Sequence, residues 1–183
     1  MTIRPVRIYG DPVLREKSKP IPDFDDSLRE LVADMYQTMA AYNGVGLAAN
    51  QVGVAQRVLV IDLPIDDETR ARFALVNPEL SERAGNETGE EGCLSIPGIY
   101  EDVRRAKKLR VRGLNEHGEP LDFVAEGFLA RAIQHEVDHL DGVLFIDRLS
   151  LLKRQFLKGP LEALSRGEMP KDWPPAAARE GRS

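Results

Sequence analysis

Apolar residues recur at helical spacing before the middle of the chain. Each of six residues has another member of the set three or four positions away: Leu28, Leu31, Val32, Met35, Met39 and Tyr42. This spacing predicts an amphipathic helix that buries one face. Asp25 or Asp26 can cap its first turn, and Asn43-Gly44 can end it, with Gly44 taking the positive φ that such a stop favours.

Two further helices are predicted towards the end of the chain. One runs from about Gly127 to Leu140, where apolar residues cover most of the circumference. The other begins near Ser150, and it is expected to break at Gly159-Pro160 because proline lacks the amide proton that a helix interior needs.

Short apolar or alternating segments between these helices predict strands. Residues 57–62 and 73–77 form short runs that are mostly apolar, which is typical of buried strands. Residues 109–112 and 121–123 alternate and are expected to pair as a hairpin. The glycine- and acid-rich segment 85–92 is expected to be a loop that leads into Cys93.

Composition is typical of a folded chain with a charged surface. Hydrophobic residues make up 42% of the 183 residues, charged residues 30%, and the net charge is −5. The negative charge argues against nucleic-acid binding, and the lack of an apolar run of about 20 residues argues against a membrane span. The single cysteine excludes an internal disulfide, and no secretory signal is recognisable, so the cytoplasm is the expected location.

The strongest chemical signal is the segment HEVDH at 135–139. Residues four apart lie on one face of a helix, so His135 and His139 can share a metal ion, and Glu136 can reach a water molecule beside it. Apolar residues cover most of the circumference of this helix, which predicts that it is buried, and buried polar groups need partners.

A hydrolytic metal site needs a third protein ligand. A histidine six residues after His139 is excluded because that position is Phe145. Glu162 follows His139 by 23 residues but lies beyond the expected helix break. Cys93, in the glycine-flanked segment EGCLS at 91–95, is the other candidate, although a lone cysteine is most often a small buried apolar residue.

Three segments together resemble the motifs of the peptide deformylase family. They are GVGLAANQ at 44–51, EGCLS at 91–95 and QHEVDHLDG at 134–142, and they occur in the family's order. The similarity begins at DPVLR, residues 11–15, and extends to about Ser150. With the predicted elements, it implies an α+β fold in which short, mostly antiparallel strands pack around a buried helix that carries HExxH. A single catalytic domain is expected over 1–165, with a flexible tail over 166–183.

The resemblance implies metal-dependent hydrolysis of the N-formyl group from formylmethionine at the start of new polypeptides, with release of formate. The family's metal ligands correspond to Cys93, His135 and His139, and its general acid/base corresponds to Glu136. Gln51 and the backbone N–H of Leu94 correspond to the donors that stabilise the oxyanion. The implied metal is Fe²⁺, and Zn²⁺, Ni²⁺ or Co²⁺ could occupy the prepared protein.

Several other residues are assigned roles around this site. Gly46 corresponds to the strand that binds the substrate backbone, and the methionine pocket is expected to be lined by Val45, Leu94, Phe128 and Ala132. Glu91 is predicted to pair with Arg105 and so to fix the loop that carries Cys93. Arg131 leans towards the metal face of its helix, so its head is expected either at the pocket mouth, contacting substrate, or turned away to Asp138 or solvent.

Nascent chains at the ribosome are the expected partners, with no direct contact to nucleic acid or membrane, and a monomer is the expected state. Two other functions remain open from the sequence. One is a zinc endopeptidase that uses a distant glutamate as its third ligand. The other is a degenerate family member that only binds, although every ligand and the candidate base are present.

Overall fold

The computed structural model describes residues 2–181, in which two antiparallel sheets enclose one buried helix. The strands are β1 (Gly46–Ala48), β2 (Val58–Pro64), β3 (Arg70–Ala84), β4 (Glu87–Cys93), β5 (Ile96–Arg105), β6 (Lys108–Leu114) and β7 (Pro120–Glu126). The larger sheet has the order β1-β2-β3-β6-β7, and β4 pairs with β5 in the smaller one. The α+β class predicted from the sequence is confirmed.

The helices are α1 (Asp26–Ala41), α2 (Gly127–Leu140), α3 (Leu151–Ser165) and the short α4 (Ala176–Glu180). Asp25 caps α1, because its side chain accepts a hydrogen bond of 3.1 Å from the Leu28 amide. All six apolar positions predicted to face the core are buried. No helix within residues 2–181 has both the length and the apolar character needed to cross a membrane.

The chain leaves α1 differently from the prediction. Asn43, and not Gly44, adopts the left-handed conformation, with φ of 57°. Asparagine tolerates that conformation because its short polar side chain can bond locally. Gly44 has a steric role instead, since a Cβ atom there would lie 2.9 Å from a methyl carbon of Leu94.

The predicted strands at 57–62 and 73–77 are confirmed within β2 and β3, and the predicted hairpin is confirmed as β6 and β7. The predicted loop at 85–92 is wrong, because most of it is β4. Its poor strand residues are held in a ladder by β5, which pairs Glu87 with Arg105 and Glu91 with Glu101. A cross-strand partner thus overrides a weak local preference.

The predicted break of the last helix at Gly159-Pro160 is also wrong, because α3 continues through it to Ser165. Leu161 and Leu164, on the turn beyond the proline, are buried against Phe145 and its neighbours. We attribute the continuation to this burial, which offsets the lost hydrogen bond of Pro160.

The segment predicted as a flexible tail packs against the domain over its described part. Trp173 lies against Tyr42, with 5.1 Å between ring centroids, and Ala178 is fully buried beside it. Met1 and residues 182–183 lie outside the described residues.

Helix α2 is buried along almost its whole length, from Ala130 to Leu140. Ile133 and Leu140 pack on the apolar face of the larger sheet, where they meet Leu75 and Val111 among others. This packing places polar residues of α2 in the interior as well, and three of them, His135, Glu136 and His139, lie against β1 and β4.

Candidate metal centre

Cys93, His135 and His139 bring three ligand atoms together in the interior. The Cys93 Sγ atom lies 3.2 Å from His139 Nε2, which lies 3.3 Å from His135 Nε2. Among residues 2–181 this is the only group of three or more such side chains whose ligand atoms converge, and all three atoms lie within 4.8 Å of one another. Cys93 ends β4, and the two histidines are one turn apart on α2.

These three atoms fit one metal ion. Ligand bonds of about 2.3 Å to sulfur and 2.0–2.1 Å to nitrogen at tetrahedral angles separate the ligand atoms by about 3.3–3.6 Å. The observed separations are close to these values. Burial lowers the pKa of His139 well below its ordinary value, whereas for His135 the contacts with Cys93 and Glu91 outweigh burial and raise the pKa; a bound metal ion requires both imidazoles to be neutral. The donor set leaves a fourth position for water or substrate.

Glu91 fixes the orientation of His135. Its Oε1 atom lies 2.8 Å from His135 Nδ1, and Arg105 donates two hydrogen bonds of 2.8 Å to the same carboxylate. The predicted pairing of Glu91 with Arg105 is therefore confirmed. Since an ionised carboxylate can only accept, Nδ1 carries the imidazole proton, and the Nε2 lone pair points to the metal position.

Arg131 lies in the same buried cluster, and its predicted position is wrong. Its guanidinium donates to Glu91 Oε2 at 2.7 Å and to the backbone oxygens of Val103 and Glu87, both at 2.8 Å. It neither extends to the cavity mouth nor turns to Asp138 or solvent. A buried guanidinium needs a counter-charge and acceptors, and β4 and β5 supply both.

Asp138 is a functional candidate that the sequence reasoning did not single out. It accepts from Arg105 at 2.5 Å and from Arg148 at 2.6 Å through two separate bonds. Arg105 also donates to Glu91, and Glu91 contacts His135, so Asp138 belongs to the same chain of hydrogen bonds as His135. The available signal was an aspartate on a helix predicted to be buried, because such a charge requires a partner.

Glu136 lies beside the ligands without being one of them. Its side chain is buried, and its Oε2 atom has no hydrogen-bond partner among the described residues. A Cβ atom at Gly46 would lie 2.6 Å from Glu136 Oε1, so the carboxylate needs a glycine on β1. Burial raises the pKa of Glu136 to about 7, which suits a group that exchanges protons near neutral pH.

The Gln51 amide is held in one orientation. Its Oε1 accepts a 2.9 Å bond from the Ala48 amide, while Nε2 donates to Ser95 Oγ at 3.1 Å and lies 3.5 Å from Cys93 Sγ. The nitrogen therefore faces the metal ligands. Leu94 occupies the tight turn between β4 and β5, directly after Cys93.

A cavity of about 570 Å³ opens onto the ligands. Every residue assigned to the substrate site lines it, namely Val45, Gly46, Leu94, Phe128, Arg131 and Ala132. Tyr100 and the later residues Pro170, Asp172 and Trp173 also line it, and the sequence reasoning missed these four. No local signal points to the last three, since their position depends on how the end of the chain folds back.

The alternative third ligand, Glu162, is not near the histidines. It lies on α3 with an exposed side chain and lines a separate cavity with Tyr9 and Leu144. The structure thus removes the main support for a zinc endopeptidase that uses a distant glutamate.

Comparisons with known proteins show a similarity that extends over most of the chain. Residues 3–155 match the family described as polypeptide deformylase. A peptide deformylase of Alkalilimnicola ehrlichii is 51% identical over 166 residues, which is 91% of this chain and 93% of the relative. One of Acidobacterium capsulatum is 46% identical, over 91% of this chain and 98% of the relative.

Solved structures show the same similarity in three dimensions. A peptide deformylase from Legionella pneumophila superposes with a TM-score of 0.82 at 43% identity, over 91% of this chain and 97% of the other. One from Thermus thermophilus gives a TM-score of 0.83 at 40% identity, over 91% of this chain and 99% of the other.

Proposed function

This chain belongs to the polypeptide deformylase family and is a hydrolase that removes the N-terminal formyl group from nascent polypeptides, and we propose that Cys93, His135 and His139 hold its metal ion. The observation that carries the proposal is the convergence of one thiol and two imidazoles beside a buried carboxylate with an unpartnered oxygen. A divalent ion at these ligands supplies Lewis acidity and lowers the pKa of water.

Glu136 is the proton carrier in this proposal. Its free Oε2 atom is available to accept a proton from the attacking water and later to give it to the amine that leaves. Gly46 leaves room for the carboxylate, and burial keeps bulk water away from it. Glu136 does not complete the ligand set, since Cys93 already supplies the third ligand.

Gln51 and Leu94 stabilise the negative charge that develops on the formyl oxygen. The Ala48 amide and Ser95 fix the Gln51 side chain, so its N–H groups are oriented before substrate binds. The Leu94 backbone N–H follows the Cys93 ligand directly and adds a second uncharged donor.

The substrate backbone pairs with β1, which lies at the edge of the larger sheet. An edge strand offers unpaired N–H and C=O groups to an extended peptide. The methionine side chain enters the apolar part of the cavity between Val45, Phe128 and Ala132. Glu91 and Arg105 contribute by orienting His135, and Arg131 contributes through its hydrogen bond to Glu91.

We assign Fe²⁺ as the native ion, as the family resemblance implies. The mixed thiolate and imidazole ligands also accept Zn²⁺, Ni²⁺ and Co²⁺. A thiolate ligand needs a reducing compartment, which supports a cytoplasmic location. We further propose that the protein acts as a monomer on chains emerging from the ribosome, and that residues 1–165 form the catalytic domain.

Formate release from formyl-Met-Ala tests the proposal. Protein loaded anaerobically with Fe²⁺ should release one formate for each free amine formed, chelator should stop the release, and Fe²⁺ should restore it. Absence of formate from metal-loaded, folded protein would refute the function.

A further inference from the structure

A second cavity, of about 500 Å³, opens on another side of α2 from the substrate cavity. Within residues 2–181 the two cavities share no lining residue. Gln134, Val137 and Asp138 line the second cavity. At about 100° per residue, they are centred about 160° around the helix from His135 and Glu136, which line the first. A molecule in the second cavity therefore does not occupy the substrate site.

The lining of this second cavity is rich in arginine. Four arginines line it, against two carboxylates. The arginines are Arg83 on β3, Arg104 and Arg105 on β5, and Arg148 after α2, and the carboxylates are those of Asp138 and Asp141. The chain as a whole carries a net charge of −5, so this local excess of positive charge is not a general feature of the protein.

Both carboxylates in the lining are already neutralised. Asp138 accepts hydrogen bonds from Arg105 and Arg148, and Asp141 forms an ion pair of 2.8 Å with Arg57. Neither aspartate is therefore available to compensate the remaining two arginines of the lining.

Arg83 and Arg104 have no acidic partner within residues 2–181. The side chain of Arg83 donates only to the Leu80 oxygen, at 3.5 Å, and the exposed guanidinium of Arg104 makes no hydrogen bond or ion pair in that range. Arg148 uses Nε and Nη2 to bind Asp138, which leaves its Nη1 atom available as a donor. Three guanidinium groups thus present unused donors at one cavity.

We propose that this cavity binds a phosphate group through Arg83, Arg104 and Arg148. A guanidinium presents parallel N–H donors that match two oxygens of a phosphate, and it stays charged throughout the physiological pH range. The two unpaired arginines balance the charge of a phosphate near neutral pH, which approaches −2. The cavity is larger than a phosphate group alone, so it accommodates either inorganic phosphate or a small phosphate monoester. The inference does not depend on the proposed function.

Calorimetric titration of the zinc-loaded protein with inorganic phosphate, at constant ionic strength, tests the proposal. Two charge-assisted contacts correspond to a dissociation constant of about 1 mM. Arg83→Gln and Arg104→Gln should each raise this constant about tenfold. Arg154→Gln is the matched control, because Arg154 is also exposed, its side chain donates only to one backbone oxygen, and it does not line the cavity; it should bind phosphate as wild type does.

Thermal melting gives a second readout. Phosphate should raise the melting temperature of wild type and of Arg154→Gln, and should raise that of the two cavity variants much less, while all four proteins melt alike without phosphate. Lack of saturable phosphate binding by wild type would overturn the inference, and so would an equal loss of affinity in Arg154→Gln. Unchanged affinity in the cavity variants would mean that phosphate binds elsewhere, for example at the metal, and would also overturn it.

Ribose 5-phosphate and ribose distinguish the two sources of the phosphate group. Tighter binding of ribose 5-phosphate than of inorganic phosphate assigns the cavity to a phosphate monoester, and equal or weaker binding assigns it to free phosphate. Ribose alone should not bind. If ribose binds as tightly as ribose 5-phosphate, the arginines do not determine the affinity and the inference fails.

Discussion

Glu91 and His135 are joined by a 2.8 Å contact between a carboxylate oxygen and the imidazole nitrogen that faces away from the metal position. Burial alone would raise the pKa of Glu91, but the hydrogen bonds from Arg105 and His135 outweigh it and hold the pKa well below the usual range. The carboxylate therefore stays ionised, and it fixes which nitrogen of His135 is free to bind metal.

Glu91→Gln should weaken metal binding about 10- to 100-fold, because an amide holds the imidazole less firmly and does not raise the basicity of its metal-binding nitrogen as a carboxylate does. Competition with a chromogenic chelator measures the change. Glu87→Gln, on the same strand with an exposed side chain, is the control and should bind metal as wild type does. Unchanged affinity in Glu91→Gln would show that the contact does not orient His135.

Arg131→Ala should destabilise the fold by about 3 kcal/mol, because it removes one partner of a buried ion pair while Arg105 still supports Glu91. Urea denaturation measures this loss. Arg104→Ala, an exposed arginine on β5, should change stability by less than about 0.5 kcal/mol.

The same Arg131→Ala variant also tests where the guanidinium acts. Since it faces Glu91 and not the substrate, kcat/KM should fall by one common factor for short formylated peptides with free and with amidated C-termini. A larger fall for the free carboxylate would indicate direct contact with substrate.

Glu136→Gln should retain the metal and lower kcat by about 10²- to 10⁴-fold, the range expected when a general acid/base is lost. Elemental analysis and formate release together measure this outcome. A variant that purifies without metal would mean that Glu136 is a ligand or a structural support.

The HExxH helix was predictable because helical spacing alone places His135 and His139 on one face. The residues themselves left Cys93 and Glu162 open as the third ligand, and only the EGCLS motif favoured Cys93. The fold favours Cys93, because the pairing of β4 with β5 brings it to His139 on α2, 46 positions later in the sequence.

Three of the errors share one physical cause. Segment 85–92 has poor strand propensity, and Pro160 is a poor helix residue, yet distant partners stabilise both. The Arg131 head was misplaced because its acceptors, Glu91 and the oxygens of Glu87 and Val103, lie on strands whose position no local pattern indicates. Tertiary packing decided each case, and it is not encoded in local spacing.

X-ray absorption spectroscopy at the metal edge tests the central claim most directly. For the zinc-loaded protein, the account predicts one sulfur ligand at about 2.3 Å and two imidazole nitrogens at about 2.0–2.1 Å, with one further light atom. Cys93→Ser should remove the sulfur contribution. A wild-type spectrum without sulfur, or with fewer than two imidazoles, would contradict the assignment of Cys93, His135 and His139 as the metal ligands.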